Sequence, residues 1–443
     1  MSGGAPQRTS HRAPASSGAV LDAGAVARIQ RRTLWVLAAG TVLGGLGVGA
    51  ALSVGALLLA QVSGNDAISG LASAVFNAGA AAAGIPLARI AARHGRRRAL
   101  VTGSIVAMIG ALVAIFGAVI SVWWVLAVGL AALGVASAVQ LLSRFAAADL
   151  ARPENRARDL SLVVWSITVG AVVGPNLIGP GAVVGSALGI APLAGVFVFA
   201  FVAQVLAAFV NALGLRPDPL LTARALPQAD PTGPIGVDGG SARGDRVAQI
   251  LTIVVIAIAQ AVMVALMAMT PLHLMHHEGT PEIVGITLSL HIAGMYALSP
   301  VFGLLASRIG RIPVVAAGLV ILLGSAALAY FAGASHALVQ VALVLLGLGW
   351  SAVTVAGAAL LTELTPRADR PRWQGRSDTF MSASGAVAGA LSGLVFAVGD
   401  FPFLAVVSAL MLAIGAIAAV PLALRSRGAA GAADRATQGG VTR

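Results

Sequence analysis

The sequence AARHGR at residues 91–96 recurs as ASRIGR at residues 306–311, 215 positions further along the chain. A second phrase keeps this offset, because GAVVG at residues 170–174 recurs as GAVAG at residues 385–389. An offset of about half the 443-residue chain indicates two large related units, since solenoid repeats have periods of about 20–50 residues. We therefore predict that each half of the protein repeats the architecture of the other.

The composition is typical of a membrane protein. Hydrophobic residues make up 58% of the chain and charged residues only 10%, whereas soluble domains are about 25% charged. All 28 basic residues behind the formal net charge of +12 are arginines. Such a charge can indicate nucleic-acid binding, but these arginines lie between long apolar runs and are expected to face anionic lipid instead. The lack of cysteine excludes disulfides and thiolate metal sites.

Continuous apolar runs of about 20 residues predict transmembrane helices, and they lack the alternation that a membrane β-barrel requires. We number the predicted spans 1 to 12 in chain order. They lie near residues 34–60, 67–90, 98–120, 123–147, 160–185, 192–215, 247–272, 282–306, 313–333, 337–362, 379–399 and 402–424. The predicted fold class is thus an all-α membrane protein, with twelve transmembrane helices in two six-helix bundles.

The segments outside the spans divide the chain. Residues 1–32 are predicted to be a disordered cytoplasmic tail, and residues 426–443 a second cytoplasmic tail. A proline-rich cytoplasmic linker at residues 217–245 separates the N-terminal bundle (33–216) from the C-terminal bundle (246–425). Parallel repeats of six spans predict two bundles related by an axis along the membrane normal, with a substrate path between them.

Arginine is distributed unevenly between the loops. The predicted gaps on one side, together with both tails, all contain arginine, and the six gaps on the other side contain none. By the positive-inside rule the arginine-rich side faces the cytoplasm. We therefore predict a multi-pass protein of the plasma or inner membrane with both termini in the cytoplasm.

The loops after spans 2 and 8 resemble the loop signature of the major facilitator superfamily. The matching positions are Arg93, Gly95 and Arg96 in the first copy and Arg308, Gly310 and Arg311 in the second. The resemblance covers residues 34–424 and implies the fold of that superfamily. Basic residues after a span also anchor it to phosphate and complement the helix dipole. Anchoring alone and an added role in a cytoplasmic gate are both open at this point.

The sequence departs from the family pattern at the acidic residue that precedes the arginine, because Ala92 and Ser307 occupy that position. Other acids at the same membrane level are candidate replacements. These are Asp149, Asp159, Glu363 and Asp378. We predict an inner gate that pairs one of the arginines Arg93, Arg96 or Arg144 with Asp378 or Asp149.

Span 5 is similar to the Gly/Pro antiporter motif of drug/proton exporters in the same superfamily. The corresponding residues are Gly170, Gly174, Pro175, Asn176, Gly179 and Pro180. The chain has three residues between Pro175 and Gly179, where the family pattern has two. The glycines also permit close helix packing and the prolines kink the span. The resemblance implies, in addition, a pliable helix that shapes the bundle interface of an exporter.

Few polar side chains lie deep inside the spans. If the family arrangement holds, the candidates that line a central cavity are Gln140, Gln260, Tyr296 and Trp350. His291 lies about half-way along span 8 and is the candidate proton-coupling residue, because imidazole titrates near physiological pH. The alternative for His291 is a neutral side chain that hydrogen-bonds a neighbouring helix.

The end of span 7 carries three imidazoles and a carboxylate, at His273, His276, His277 and Glu278. A metal site, an outer gate or pH sensor, and a solvated loop are the alternatives for this cluster. The spacing is weak evidence for a metal, so we assign neither a metal nor a cofactor from sequence.

We predict a secondary active transporter that exports small amphipathic compounds in exchange for protons by alternating access. An uptake permease or facilitator for a small metabolite is the alternative, and a non-transporting receptor or scaffold is a remote one. The chain contains neither a nucleotide-binding loop of the Gly-x4-Gly-Lys-Ser/Thr type nor a nucleophile–base constellation, so we predict no enzyme activity. The expected partners are a small-molecule substrate, protons and the lipid bilayer, with no nucleic acid, and the protein is expected to be a monomer.

Overall fold

The structure is a computed structural model, and it is helical throughout its regular segments. It describes residues 22–152, 155–226, 245–365 and 370–439. Among these residues, eleven helices are long and apolar enough to cross a membrane, and the last of them, Trp373–Leu422, contains 50 residues. Non-helical backbone at Gly399 and Asp400 divides this last helix into two spans. The described chain therefore contains the twelve spans that hydropathy predicts.

The N-terminal bundle contains spans 1 to 6. They are Ala23–Ser63, Leu71–His94, Arg96–Val119, Trp123–Ala148, Arg156–Val173 continued by Ile178–Ala187, and Val196–Gly214. Span 5 is interrupted by a 3-10 turn at Gly174–Leu177. The interruption has a clear cause, because Pro175 has no N–H to donate to the α-helical ladder.

The C-terminal bundle contains spans 7 to 12. They are Arg246–His276, Pro281–Tyr296 continued by Ser299–Arg308, Arg311–Phe331, His336–Glu363, and the two parts of Arg370–Gly439 on either side of Gly399. A short helix, Pro219–Ala225, follows the N-terminal bundle.

Three predicted segment boundaries differ from the structure. Span 1 begins at Ala23, so residues 23–32 are helical, and Gln30 holds them by donating to Ala147 O at 2.8 Å and Asp159 Oδ2 at 2.7 Å. Near its start, the predicted linker contains the short helix Pro219–Ala225, which Asp218 caps. The last helix continues to Gly439. Residues 1–21, 227–244 and 440–443 lie outside the described residues.

The turns after spans 2 and 8 have the same backbone geometry. Gly95 has φ 89° and Gly310 has φ 96°, a region that side chains with a Cβ atom rarely adopt. The duplicated glycine therefore lets the chain reverse between two consecutive spans in both bundles.

Many spans expose large apolar side chains, for example Phe209 on span 6 at 60%, Val320 on span 9 at 68% and Ile417 on span 12 at 71% exposure. Span 7 is the opposite case, because its residues from Ala261 to Leu274 are all buried. This arrangement places span 7 at the centre of the molecule and apolar surface against lipid.

Glycines bring neighbouring spans into backbone contact. A Cβ atom at Gly110 on span 3 would lie 2.5 Å from the backbone nitrogen of Leu133 on span 4. Helix association inside lipid depends on such close packing, because burying apolar surface gains nothing when the surroundings are already apolar.

We expect Gly110→Val to destabilise the protein, because the added side chain must displace the backbone of span 4. Overpacking of this kind costs about 1–3 kcal/mol, which lowers the melting temperature of the detergent-solubilised protein by several degrees. Gly324→Val in span 9 is the matched control, since a Cβ atom there meets nothing within 4 Å. Equal melting temperatures for the two variants would contradict this packing role.

Candidate substrate cavity

Polar and aromatic side chains from both bundles interact with one another. Nε1 of Trp350 on span 10 donates a hydrogen bond of 2.7 Å to Oε1 of Gln260 on span 7. The ring of Tyr296 on span 8 meets Trp350 edge to face, with centroids 6.0 Å apart. Arg144 on span 4 interacts electrostatically with Tyr296 and with Asp378 on span 11. We call these five residues the central cluster.

The central cluster contains one side chain from the N-terminal bundle and four from the C-terminal bundle. Three of the four predicted cavity residues are therefore brought together, and Arg144 and Asp378 of the predicted inner gate join them. Gln140, the fourth, is 8% exposed and lies inside the N-terminal bundle, 3.7 Å from the position of a Cβ atom on Gly44 of span 1.

The two bundles contact each other at the ends of the spans away from the arginine-rich loops. A Cβ atom at Gly70, before span 2, would lie 2.7 Å from the backbone nitrogen of Gly393 on span 11. The equivalent contact in the other half is made by Gly285 on span 8, where a Cβ atom would lie 2.9 Å from Pro175 O on span 5. Gly70 and Gly285 are themselves 215 positions apart. The duplication thus closes this side with two related contacts.

A hydrogen-bonded set reinforces the contact between spans 5 and 8. Asn176 Nδ2 donates to Ser289 Oγ at 2.6 Å, and Ser289 Oγ donates to Val172 O at 2.6 Å. Ser69 and Met269 add a further contact between the bundles at 3.6 Å. The central cluster lies on the arginine-rich side of this closed region, since Arg144 and Asp378 are close to the arginine-rich ends of their spans.

The span 5 motif packs mainly against span 1. Cβ atoms at Gly170 and Gly174 would meet the backbone of span 1, at 3.0 Å from Gly45 Cα and 2.8 Å from Gly49 Cα. Gly179 approaches Glu282 Oε1 on span 8, at 3.5 Å from the position of a Cβ atom, and Pro180 is exposed. The motif therefore joins spans 1 and 5 with its first half and faces the other bundle with its second half.

The arginine-rich loops form ion pairs within each bundle. Arg96 binds Asp149 with both Nε and Nη2, at 2.8 and 3.1 Å. In the other half, Arg311 Nε lies 3.2 Å from Glu363 Oε2. These pairs connect the start of spans 3 and 9 to the end of spans 4 and 10, so two of the candidate acids occupy equivalent places. Asp159, a third candidate, is the buried partner of Gln30.

Asp218 is an acid at the loop that the sequence reasoning did not identify. Its carboxylate contacts Gly95 and accepts a 2.8 Å hydrogen bond from the backbone nitrogen of Arg97, at the start of span 3. A negative charge at this helix terminus is favourable. Arg93 and Arg308 are exposed at the ends of their spans.

His291 lies inside the C-terminal bundle and not in the central cluster. It is completely buried, and its Nδ1 is 2.8 Å from Leu343 O on span 10. Such a contact joins two helices of one bundle.

The histidines at the end of span 7 separate into two groups. His276 Nε2 lies 3.3 Å from Asp66 Oδ2 in the N-terminal half. His273 and His277 lie beside Asp400, which sequence spacing does not connect to them because it is more than a hundred residues away.

The fold is that of a multi-pass membrane protein with two duplicated bundles. The sequence model described as Major Facilitator Superfamily matches residues 37–281 and 251–441. The chain therefore belongs to the major facilitator superfamily, and it is a transporter and not an enzyme.

Relatives cover nearly the whole chain. The MFS-type transporter YdeG of Bacillus subtilis (strain 168) is 35% identical over 405 residues, which are 90% of this chain and 93% of the relative. The riboflavin transporter RfnT of Brucella anthropi is 26% identical over 407 residues, covering 91% of this chain and 98% of the relative.

Solved structures share the fold at low sequence identity. One is a bacterial homolog of the human lysosomal transporter Spinster in an inward-facing, occupied conformation, with a TM-score of 0.66, 17% identity, and coverage of 89% of this chain and 96% of that one. Another is a POT family peptide transporter in complex with alafosfalin, with a TM-score of 0.66, 15% identity, and coverage of 91% and 98%.

We expect Gly70→Val to prevent closure of the contact between Gly70 and span 11, because the added side chain would meet the backbone of span 11. The bundles should then favour the opposite conformation, with their arginine-rich ends closer together. Spin labels on cysteines introduced at His94 and Ser307, which are exposed ends of spans 2 and 8, measure this distance. The distance should shorten in Gly70→Val but not in the control Gly84→Val, where a Cβ atom meets nothing within 4 Å. An unchanged distance in both variants would show that the contact does not set the conformation.

Proposed function

We propose that this protein is a secondary active transporter that exports small amphipathic compounds in exchange for protons. The observation that carries the proposal is the central cluster, in which Arg144 of one bundle interacts electrostatically with Asp378 and Tyr296 of the other, beside the hydrogen-bonded pair Trp350–Gln260. The resemblance of span 5 to the motif of drug/proton exporters supports the direction of transport.

The composition of the central cluster favours a planar cargo with polar edges. Tyr296 and Trp350 offer aromatic faces and edges, and Gln260 offers an amide that can exchange its bond with Trp350 for one with the cargo. The relative RfnT, named a riboflavin transporter, agrees with a heteroaromatic cargo. A strongly cationic cargo is disfavoured, because Asp378 already faces the positive charge of Arg144.

Asp378 is the proton-coupling residue that this geometry favours over His291. Among the residues that the structure describes, the charged and titratable groups that interact with Asp378 are Arg144 and, through Arg144, Tyr296. Protonation of the carboxylate would remove its attraction to Arg144. The free-energy difference between the two arrangements of the bundles would therefore change. Binding of one proton is thereby linked to the movement of the bundles. His291, whose Nδ1 contacts span 10, remains an alternative to be tested in parallel.

We expect Asp378→Asn to abolish transport driven by a pH gradient while retaining exchange of cargo across the membrane. In proteoliposomes, accumulation of an aromatic cargo found by a thermal-shift screen should fall at least tenfold, and counterflow should stay within about threefold of wild type. Glu363→Gln is the matched control, because this acid forms an ion pair within one bundle. Loss of coupling in His291→Gln but not in Asp378→Asn would contradict the assignment. Accumulation of cargo in the same direction as the flow of protons would favour the uptake permease.

We further propose that the arginine-rich loops face the cytoplasm of a cell membrane and that the protein works as a monomer. Because the chain lacks cysteine, single cysteines report orientation without background. A cysteine at exposed Ser335, in the loop between spans 9 and 10, should react with an impermeant thiol reagent in intact cells. A cysteine at exposed Ser307 should react only after permeabilisation. The reverse pattern would contradict this orientation.

A further inference from the structure

The outer end of the C-terminal bundle brings together two imidazoles and a carboxylate. One potential ligand atom from each of His273, His277 and Asp400 lies within 4.8 Å of the other two. His273 Nδ1 and Asp400 Oδ1 are 3.7 Å apart. The histidines belong to span 7, and Asp400 belongs to the break between spans 11 and 12. The cluster lies far from the central cluster and has no part in the proposed transport mechanism.

The hydrogen bonds of the two rings leave one nitrogen of each as an acceptor. Nε2 of His273 lies 3.0 Å from Gly333 O, and Nδ1 of His277 lies 2.9 Å from His273 O. A carbonyl oxygen only accepts hydrogen bonds, so these two nitrogens carry the protons of the neutral rings. Nδ1 of His273 and Nε2 of His277 then present lone pairs. Metal-bound histidines are commonly held in this way, with the second nitrogen bonded to a backbone carbonyl.

The lone pair of His273 is buried and faces another acceptor. His273 is 2% exposed, and its Nδ1 has no hydrogen-bond partner among the described residues. An ionised carboxylate also has only acceptor atoms. A cation between these two acceptors, which are 3.7 Å apart, would satisfy both of them. A proton could satisfy this pair, but the third acceptor on His277 favours a cation that binds several ligands at once.

The break at Asp400 holds the carboxylate over the end of span 7. Asp400 has φ 57° and ψ −165°, a conformation that essentially only glycine adopts without strain. The carboxylate accepts a 2.7 Å hydrogen bond from the backbone nitrogen of Phe401, and the Phe401 ring stacks on His273 with centroids 4.5 Å apart. These contacts keep the acid beside the buried imidazole.

We propose that His273, His277 and Asp400 bind a divalent transition-metal ion of the zinc class at the outer surface. Two nitrogens and one oxygen, with a water molecule as the fourth ligand, suit tetrahedral zinc. Ligand atoms bonded at about 2.0–2.1 Å in a tetrahedron are roughly 3.3 Å apart, so the atoms must approach by up to about 1.5 Å. The Asp400 side chain is 48% exposed and can make this movement. Magnesium and calcium are disfavoured, since they prefer oxygen ligands throughout.

The test measures Zn²⁺ binding by calorimetry to the full-length protein, purified in detergent without a polyhistidine tag. The variants are Asp400→Asn and His277→Gln, and asparagine tolerates positive φ better than most residues. His276→Gln is the matched control, because this neighbouring imidazole contacts Asp66 instead. A thermal melt without metal confirms that each variant is folded, and X-ray absorption at the zinc edge reports the ligands.

We expect one Zn²⁺ per wild-type chain, with a dissociation constant at least tenfold weaker in Asp400→Asn and His277→Gln and unchanged in His276→Gln. The absorption spectrum should show nitrogen and oxygen ligands at about 2.0–2.1 Å and no sulfur. Mg²⁺ should not compete. The proposal is overturned if wild type shows no saturable binding, which would leave a proton as the cation between His273 and Asp400. It is also overturned if the two ligand variants bind as tightly as wild type.

Discussion

Hydrocarbon offers no hydrogen-bond partner, and the structure depends on this constraint. Backbone groups must pair within helices, and helices must then associate without help from the exclusion of water. Glycine provides the close contacts that association requires. Gly170 and Gly174 pack on span 1, Gly110 packs on span 4, and Gly70 packs on span 11. The same type of contact therefore holds each bundle together and closes one side of the molecule.

Some of these glycine contacts join spans of one bundle, and others join the two bundles. Gly110 joins two spans of one bundle, whereas Gly70 and Gly285 meet the opposite bundle, and the proposed alternating access requires these last two contacts to separate. Small residues suit such an interface, because no long side chain has to be reordered. The central cluster lies on the arginine-rich side of these contacts, and its charged residues Arg144 and Asp378 are the ones that the proposed proton coupling uses.

The arginine-rich loops form arginine–carboxylate ion pairs although the acidic residue of the family pattern is missing. The family's acid before the arginine is absent from both copies, yet Arg96 binds Asp149 and Arg311 binds Glu363. Asp149 and Glu363 both lie at the end of the fourth span of their half, so each half replaces the missing acid from the same place. Asp218 adds a third carboxylate at the start of span 3. The loops are thus connected to the neighbouring spans by ion pairs inside each bundle.

Hydropathy, charge and the 215-residue repeat determined the spans, their number and the two-bundle fold, because a membrane dictates helix length and composition locally. The sequence also indicated Trp350, Gln260 and Tyr296, since polar groups inside spans are few. Helix starts were less predictable, as the early beginning at Ala23 shows. Only the tertiary structure decided which distant residues meet. Helix packing placed His291 inside one bundle, beside span 10. A strained break in the backbone brought Asp400 close to His273. Spacing along the chain determines neither of these distances.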